Sequence, residues 1–509
     1  MAVTWNYENA GHLLRRAGFG GTPDAIQDFL DKHDDVQDAV DTLLAFKPSN
    51  KKPPSTGRDF NDAKAKQQRW WLKQMAKSKK PSDAAREKLV LFWHNHLACG
   101  QSKQPEASYM AVQNRLFRQL AGGSFKEMMR QFTRDPATLY YLDGILNEAG
   151  KDGLNVNVNE NYGREFLELF TTGISQFQSD GTDDPSKPNY TEVDVHQLAR
   201  AFSGWIEIDR DVGVWQQSQW DGGQYDDDGD GSPDDVTIFG VTNNNFRIDD
   251  IVAGTADDIV ELVFARLDDE SNNQTAMFVA RKMWVWYAFP APSPGLKSLL
   301  AGLAATFAGS DFDVKVLLNA IFTHDEFYSD LAKSRTIKNP VDFTVQTMKA
   351  LGVRSAAKEI GDSNDRLGEI LENMGMDLFE PPNVAGWPGG QRWITTGTLL
   401  ERLAFASFLA EATRGSSRIK FKKAKEIPIG NPAVTPGDLV DAVVRQLGLD
   451  ATSTPFGIDA TQRQSLIDFA SDFGAISTLD LSTEKTEDAE VRLRGVVALT
   501  IQAAENQIF

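Results

Sequence analysis

Residues 81–98 read PSDAAREKLVLFWHNHLA, and the way this stretch folds decides the class of the molecule. Its apolar residues recur with helical rather than alternating spacing, and Ser82 and Asp83 stand where a helix opens. The stretch is therefore read as a helix running into FWHNHLACG, which gathers His94, His96 and Cys99. The chain owns only six histidines and one cysteine, so this cluster is conspicuous.

The same periodicity extends outward in both directions. TPDAIQDFLDKHDDVQDAVDTLLAF places Ile26, Phe29, Leu30, Val36, Val40, Leu43 and Leu44 on helical faces, with Thr22-Pro23 as an N-terminal cap. Similar patterns recur to the C-terminus, among them 110–121, 163–171, 192–202, 275–287, 339–351, 396–412 and 488–505. The best alternating segments lie at 205–214 and 236–246, flanking a Gly/Asp-rich tip that suggests one hairpin. The expectation is a mainly α protein. Its helical core spans 1–413 with an insertion at 206–246, a linker covers 414–436, and a small helical subdomain at 437–509 packs back.

Composition narrows the function classes. The 509 residues are 41% hydrophobic and 25% charged, which is ordinary for a globular chain, and the formal net charge is −19. That balance opposes nucleic-acid binding, which gains affinity by neutralising phosphates with Lys and Arg. A single cysteine excludes an intrachain disulfide. No apolar run is long enough to span a bilayer, and the N-terminal residues lack the basic and apolar regions of a cleavable signal.

Several islands carry more information than periodicity. LLRRAGFG (13–20), FWHNHLA (92–98), NENYGREFLELFTTGI (159–174), YTEVDVHQLARAFSGW (190–205), ARKMWVWYAFP (280–290) and FEPPNVAGWPGGQRWI (379–394) occur in this order. Together they resemble the bacterial family designated domain of unknown function 1800, over about residues 10–505. The resemblance implies a large helical protein, commonly exported, and often encoded beside a partner similar to sulfatases and alkaline phosphatases. It implies no established activity. The chain departs from the family's HD-x-G-x-K stretch, reading NNNFRIDDIVAGTADD there, which counts against a mechanism built on that His-Asp pair.

Read as chemistry, His94 and His96 differ by about 200° in azimuth on a continuous helix, so they do not share one ion unless the helix ends or unwinds. The plain alternative buries one histidine and turns the other to a polar surface. A metal site would need Glu165 and Glu168, at i and i+3 in an apolar helix, while the structural alternative pairs them with Arg164, Arg115, Arg118 or Arg200. Cys99 is a small buried hydrophobe or a soft ligand. Arg15 and Arg16 would grip an anion or an acidic helix.

YDDDGDGSPDD sets Asp226, Asp228, Asp230 and Asp234 at the spacing of calcium loops, without the twelfth-position glutamate, so calcium is the expected cofactor there. Trp387 and Trp393 sit on a rigid Pro/Gly loop suited equally to ligand contact and to packing. Two functions stay open. One is a non-catalytic structural or accessory protein working with a sulfatase-like partner at the cell envelope. The other is a metal-dependent hydrolase or oxidoreductase built on His94, His96, Glu165 and Glu168, with the metal unnamed.

Overall fold

The computed structural model describes residues 3–57, 59–147, 158–203, 205–206, 219–220, 236–243, 255–353, 366–411, 413–414, 417–418, 424–449, 457–482 and 487–509. Helix accounts for 60% of the residues and strand for 5%, so the protein is mainly α. Helix starts follow the expected chemistry. Thr22 Oγ accepts the Ala25 N–H at 3.3 Å with Pro23 at the first helical position, and Asp35, Asp59 and Asn273 cap their helices likewise.

The decisive helix spans Pro81–His96. It opens one residue earlier than Ser82 and Asp83 suggest, because Pro81 occupies the first turn, where its missing N–H costs nothing. Twelve of its sixteen residues are buried, so it runs through the interior rather than along the surface. It touches Tyr7–Ala17, Val36–Leu44, Phe60–Lys77, Ser108–Leu120 and Gln274–Tyr287. One apolar cluster joins these helices to residues as late as Ile501.

The C-terminal chain enters the same cluster. Glu487–Gln502 lies along Thr396–Glu411, and Gln502 Nε2 donates to Leu403 O at 3.0 Å. Ile508 bridges to Ile337, and Lys338 N–H donates to Gln507 O at 2.8 Å.

Strand pairing differs from the expected single hairpin. Trp205 pairs with Trp220, whereas Val236–Ile238 pairs with Val241–Asn243 through a turn at Phe239-Gly240, so the two alternating segments each pair locally and not with one another. A short local turn closes at a smaller entropic cost than a long insertion. The acidic stretch holding Asp226, Asp228, Asp230 and Asp234 lies outside the described residues.

A second difference bears on function. The helix expected over 163–171 is α-helical at Glu160–Glu165 and then widens into a π-helix at Phe166–Thr171. Thr172 N–H reaches back to Leu167 O at 3.0 Å. The hydroxyls of Thr171 and Thr172 donate to Phe166 O and Leu167 O at 2.6 and 3.1 Å, so side chains supply donors to the widened turn.

Candidate functional site

The His-Asn-His triplet ends its helix against three different elements. His94, 1% exposed, accepts the Phe379 N–H on Nε2 at 3.0 Å, and its ring lies 5.4 Å from the rings of Trp71, Phe379 and Trp387. Accepting at Nε2 places the imidazole proton on Nδ1. Burial among aromatics pushes its pKa down to about 3, so the ring is neutral.

Asn95 Oδ1 accepts the Trp387 N–H at 2.8 Å. Gly386, at φ +78°, brings backbone so close that an added Cβ would stand 2.2 Å from Asn95 O. His96, 5% exposed, turns the other way. Its Nε2 donates to Phe170 O at 3.0 Å, its ring stacks on Phe92, and burial, with Lys282 adding to it, pushes its pKa down to about 3.

The wide azimuthal separation holds, and it sends the two rings to different partners. The expectation that one of them faces a polar surface does not hold, because distant aromatic segments close over both. Among the described residues no three His, Cys, Asp or Glu side chains come together as a metal-holding group. Cys99 is fully buried beside Gln113 and Thr138, and burial pushes its thiol up to about 12, so it stays protonated.

Glu165 and Glu168 are half-buried at the α-to-π junction, in the same turn whose Phe170 carbonyl accepts from His96. Glu168 accepts the Tyr190 hydroxyl at 2.9 Å. The Glu165 carboxyl is pushed up to about 7, by burial first and by the Glu168 charge second, against the opposing pull of Arg164. Neither glutamate pairs with an expected arginine. Arg164 takes Glu192 at 2.8 Å and Glu160 at 3.1 Å, Arg118 takes Glu87 at 2.6 Å, and Arg200 donates to Gln197 at 3.0 Å.

The fully buried polar contacts are ones that sequence reasoning missed. Glu87 binds Arg118 and also accepts the Trp71 indole N–H at 3.1 Å. Lys88 pairs with Asp342, both 1% exposed, beneath the rings of Phe19, Trp286 and Phe509. The signal was present: Glu87 and Lys88 are adjacent charges in the middle of a helix too apolar to reach water on both sides.

Arg16 takes backbone partners that the sequence did not point to. Its guanidinium donates to the carbonyls of Tyr287 and Ala288 at 2.5 and 2.8 Å, capping the end of Gln274–Tyr287. Trp387 and Trp393 are each 5% exposed, so both face the interior.

Every island identified in the sequence thus terminates on another one. FWHNHLA holds the Phe379–Trp387 loop and the π-turn, LLRRAGFG holds ARKMWVWYAFP, and Tyr190 holds Glu168. Residues 12–507 match the family described as Protein of unknown function (DUF1800). The chain belongs to this family. No curated protein matches the chain, and no solved structure matches it. Membership therefore brings a set of interlocking motifs and no named reaction. No helix among the described residues of this DUF1800 protein is long and apolar enough to cross a membrane.

Proposed function

We propose that the chain is a non-catalytic structural or accessory protein that works with a sulfatase-like partner at the bacterial cell envelope. One observation supports the non-catalytic reading: the polar groups of the motifs are spent on one another. His94, Asn95 and His96 bond backbone at Phe379, Trp387 and Phe170, and Arg16 bonds the end of a helix. Two neutral buried imidazoles and a protonated thiol are poorly matched to proton transfer or metal ligation at neutral pH. The partner rests on the family resemblance alone.

Co-expression with a sulfatase-like protein from the same genome tests this reading. The expected outcome is stoichiometric co-elution on size exclusion, and no hydrolysis of p-nitrophenyl sulfate or phosphate by the chain alone. Independent elution of the two proteins, or ester hydrolysis by the chain alone that Glu165→Gln abolishes, would overturn it.

A second reading, a metal-dependent hydrolase or oxidoreductase, keeps one favourable observation. Glu165 sits near neutrality beside Glu168 on a π-turn, and both perturbed carboxyls and π-turns occur often at functional sites. Its metal would have to be held without Nε2 of either histidine, since both atoms are engaged. Metal analysis of the wild type and of Glu165→Gln separates the two readings.

A further inference from the structure

The loop that joins Phe60–Lys77 to Pro81–His96 reads KSKKP, and its lysines line a cavity of about 610 Å³. Lys349 and Lys425 complete the cationic wall, and Asp24 is the only carboxylate among the lining residues. Lys425 pairs with Asp24, and Lys349 bonds the Ser78 hydroxyl at 3.2 Å. Lys77, Lys79 and Lys80 are exposed, and none of their ammonium groups is hydrogen-bonded or ion-paired among the described residues. In a chain of net charge −19, a concave surface with five lysines and one acid runs against the background.

Their position adds a second argument. Lys80 is the N-cap of the Pro81–His96 helix, which has no side-chain cap, and the Thr22-capped start of Pro23–Asp31 opens on the same cavity. A helix N-terminus carries partial positive charge and favours anions, so Lys79 and Lys80 there repel the dipole, and the three unpaired ammonium groups repel one another. An anionic ligand would relieve that repulsion. The turn 18–21 lets one approach the backbone. Gly20 adopts φ +62°, and at Gly18 an added Cβ would lie 3.2 Å from that of Ala84. Leu14, Leu43 and Ala76 give the cavity an apolar floor.

We propose that this cavity binds a small organic molecule bearing a phosphate or sulfate group, with the oxyanion held by Lys77, Lys79 and Lys80 and the body of the ligand on the apolar floor. The volume lies within the range of about 300–1,000 Å³ usual for small-molecule sites. Lysines, being compact point charges, suit a tetrahedral oxyanion. The planar fork that arginine offers to carboxylates is missing from the lining.

Calorimetric titration of the full chain with inorganic pyrophosphate, at fixed ionic strength, tests the proposal, and inorganic sulfate in a parallel arm distinguishes the two oxyanion sources. Saturable binding of one or both is expected. The triple variant Lys77→Ala/Lys79→Ala/Lys80→Ala should weaken it by about tenfold or more, whereas Lys51→Ala/Lys52→Ala, at exposed lysines outside the cavity, should leave it unchanged. Without ligand the double variant Lys79→Ala/Lys80→Ala should melt no lower than the wild type, since it removes cations from a helix N-terminus; Lys80→Gln alone supplies the binding comparison if the triple variant fails to fold. Absence of binding, equal weakening by the two sets of variants, or citrate binding as tightly as pyrophosphate would overturn the proposal.

Discussion

Two polar regions, one along the helix that ends in His96 and one around Glu165, treat their charges in opposite ways. On the His96 side the charges are buried and paired: Glu87 meets Arg118 and Trp71, Lys88 meets Asp342, and the two imidazoles each meet backbone through Nε2. On the Glu165 side, two carboxylates share a half-buried turn, one answered by a tyrosine and the other pushed up to about 7. Burial alone does not make a site. A buried group that is fully paired specifies the fold, whereas a partly exposed group left unpaired keeps a proton that it can exchange.

The largest test of this contrast is on the sealed side. Asp342→Ala leaves Lys88 buried without its counter-ion, and the expected loss is about 3–5 kcal/mol, read from denaturant unfolding. A loss within experimental error would mean that water reaches Lys88 and that the region is not sealed.

Glu165→Gln should act in the other direction. The folded carboxyl at about 7 lies above its ordinary value of 4.5, so the folded state binds the proton more tightly than the unfolded one. Stability from this group is fully present below the ordinary value and is lost as pH rises through about 7. The variant should therefore be the more stable protein above that pH, by about 1 kcal/mol once solvent screening of a half-exposed group is allowed for, with the advantage gone below pH 4.5. Thermal melts across this range would show the crossover, and a pH-independent difference would remove Glu165 from the comparison.

The smallest effect on stability is expected from the acidic stretch, which the sequence reads as an exposed Gly/Asp-rich segment. We propose that Asp226, Asp228, Asp230 and Asp234 bind calcium with a dissociation constant on the order of 10⁻⁴ to 10⁻³ M, because the twelfth-position ligand is missing. Asp228→Ala should abolish the binding heat and leave the melting temperature without calcium unchanged. Equal binding by that variant would leave only a solvated acidic segment.

Sequence periodicity carried the helical class and the buried Pro81–His96 helix, because a 3.6-residue repeat is a local property. It also carried the divergence of His94 and His96, since azimuth follows from helix geometry. It did not carry their burial. The groups that cover them, Phe379 and Phe170, lie 285 and 74 residues away in the chain, and no local pattern reports such contacts. The π-turn was hidden for a related reason: one widened turn leaves the apolar spacing of Phe166, Leu167 and Phe170 almost intact, and Thr171-Thr172 was the only hint. Arg164 stands next to Glu165 in sequence, yet its side chain reaches Glu192 on the neighbouring helix, because adjacent residues on a helix point in different directions. The strands were visible and their partners were not, since alternation reports a strand but not its register.

The protonation of the two histidines tests the central claim most directly. Long-range ¹⁵N–¹H NMR of histidine-labelled protein should show His94 with its proton on Nδ1 and His96 with its proton on Nε2. Because burial depresses both folded values to about 3, neither ring should titrate between pH 8 and 5, and neither resonance should move when zinc is added. Titration of either ring near its ordinary value of 6.5, or a zinc-dependent shift at both, would contradict the account and return these histidines to a working site.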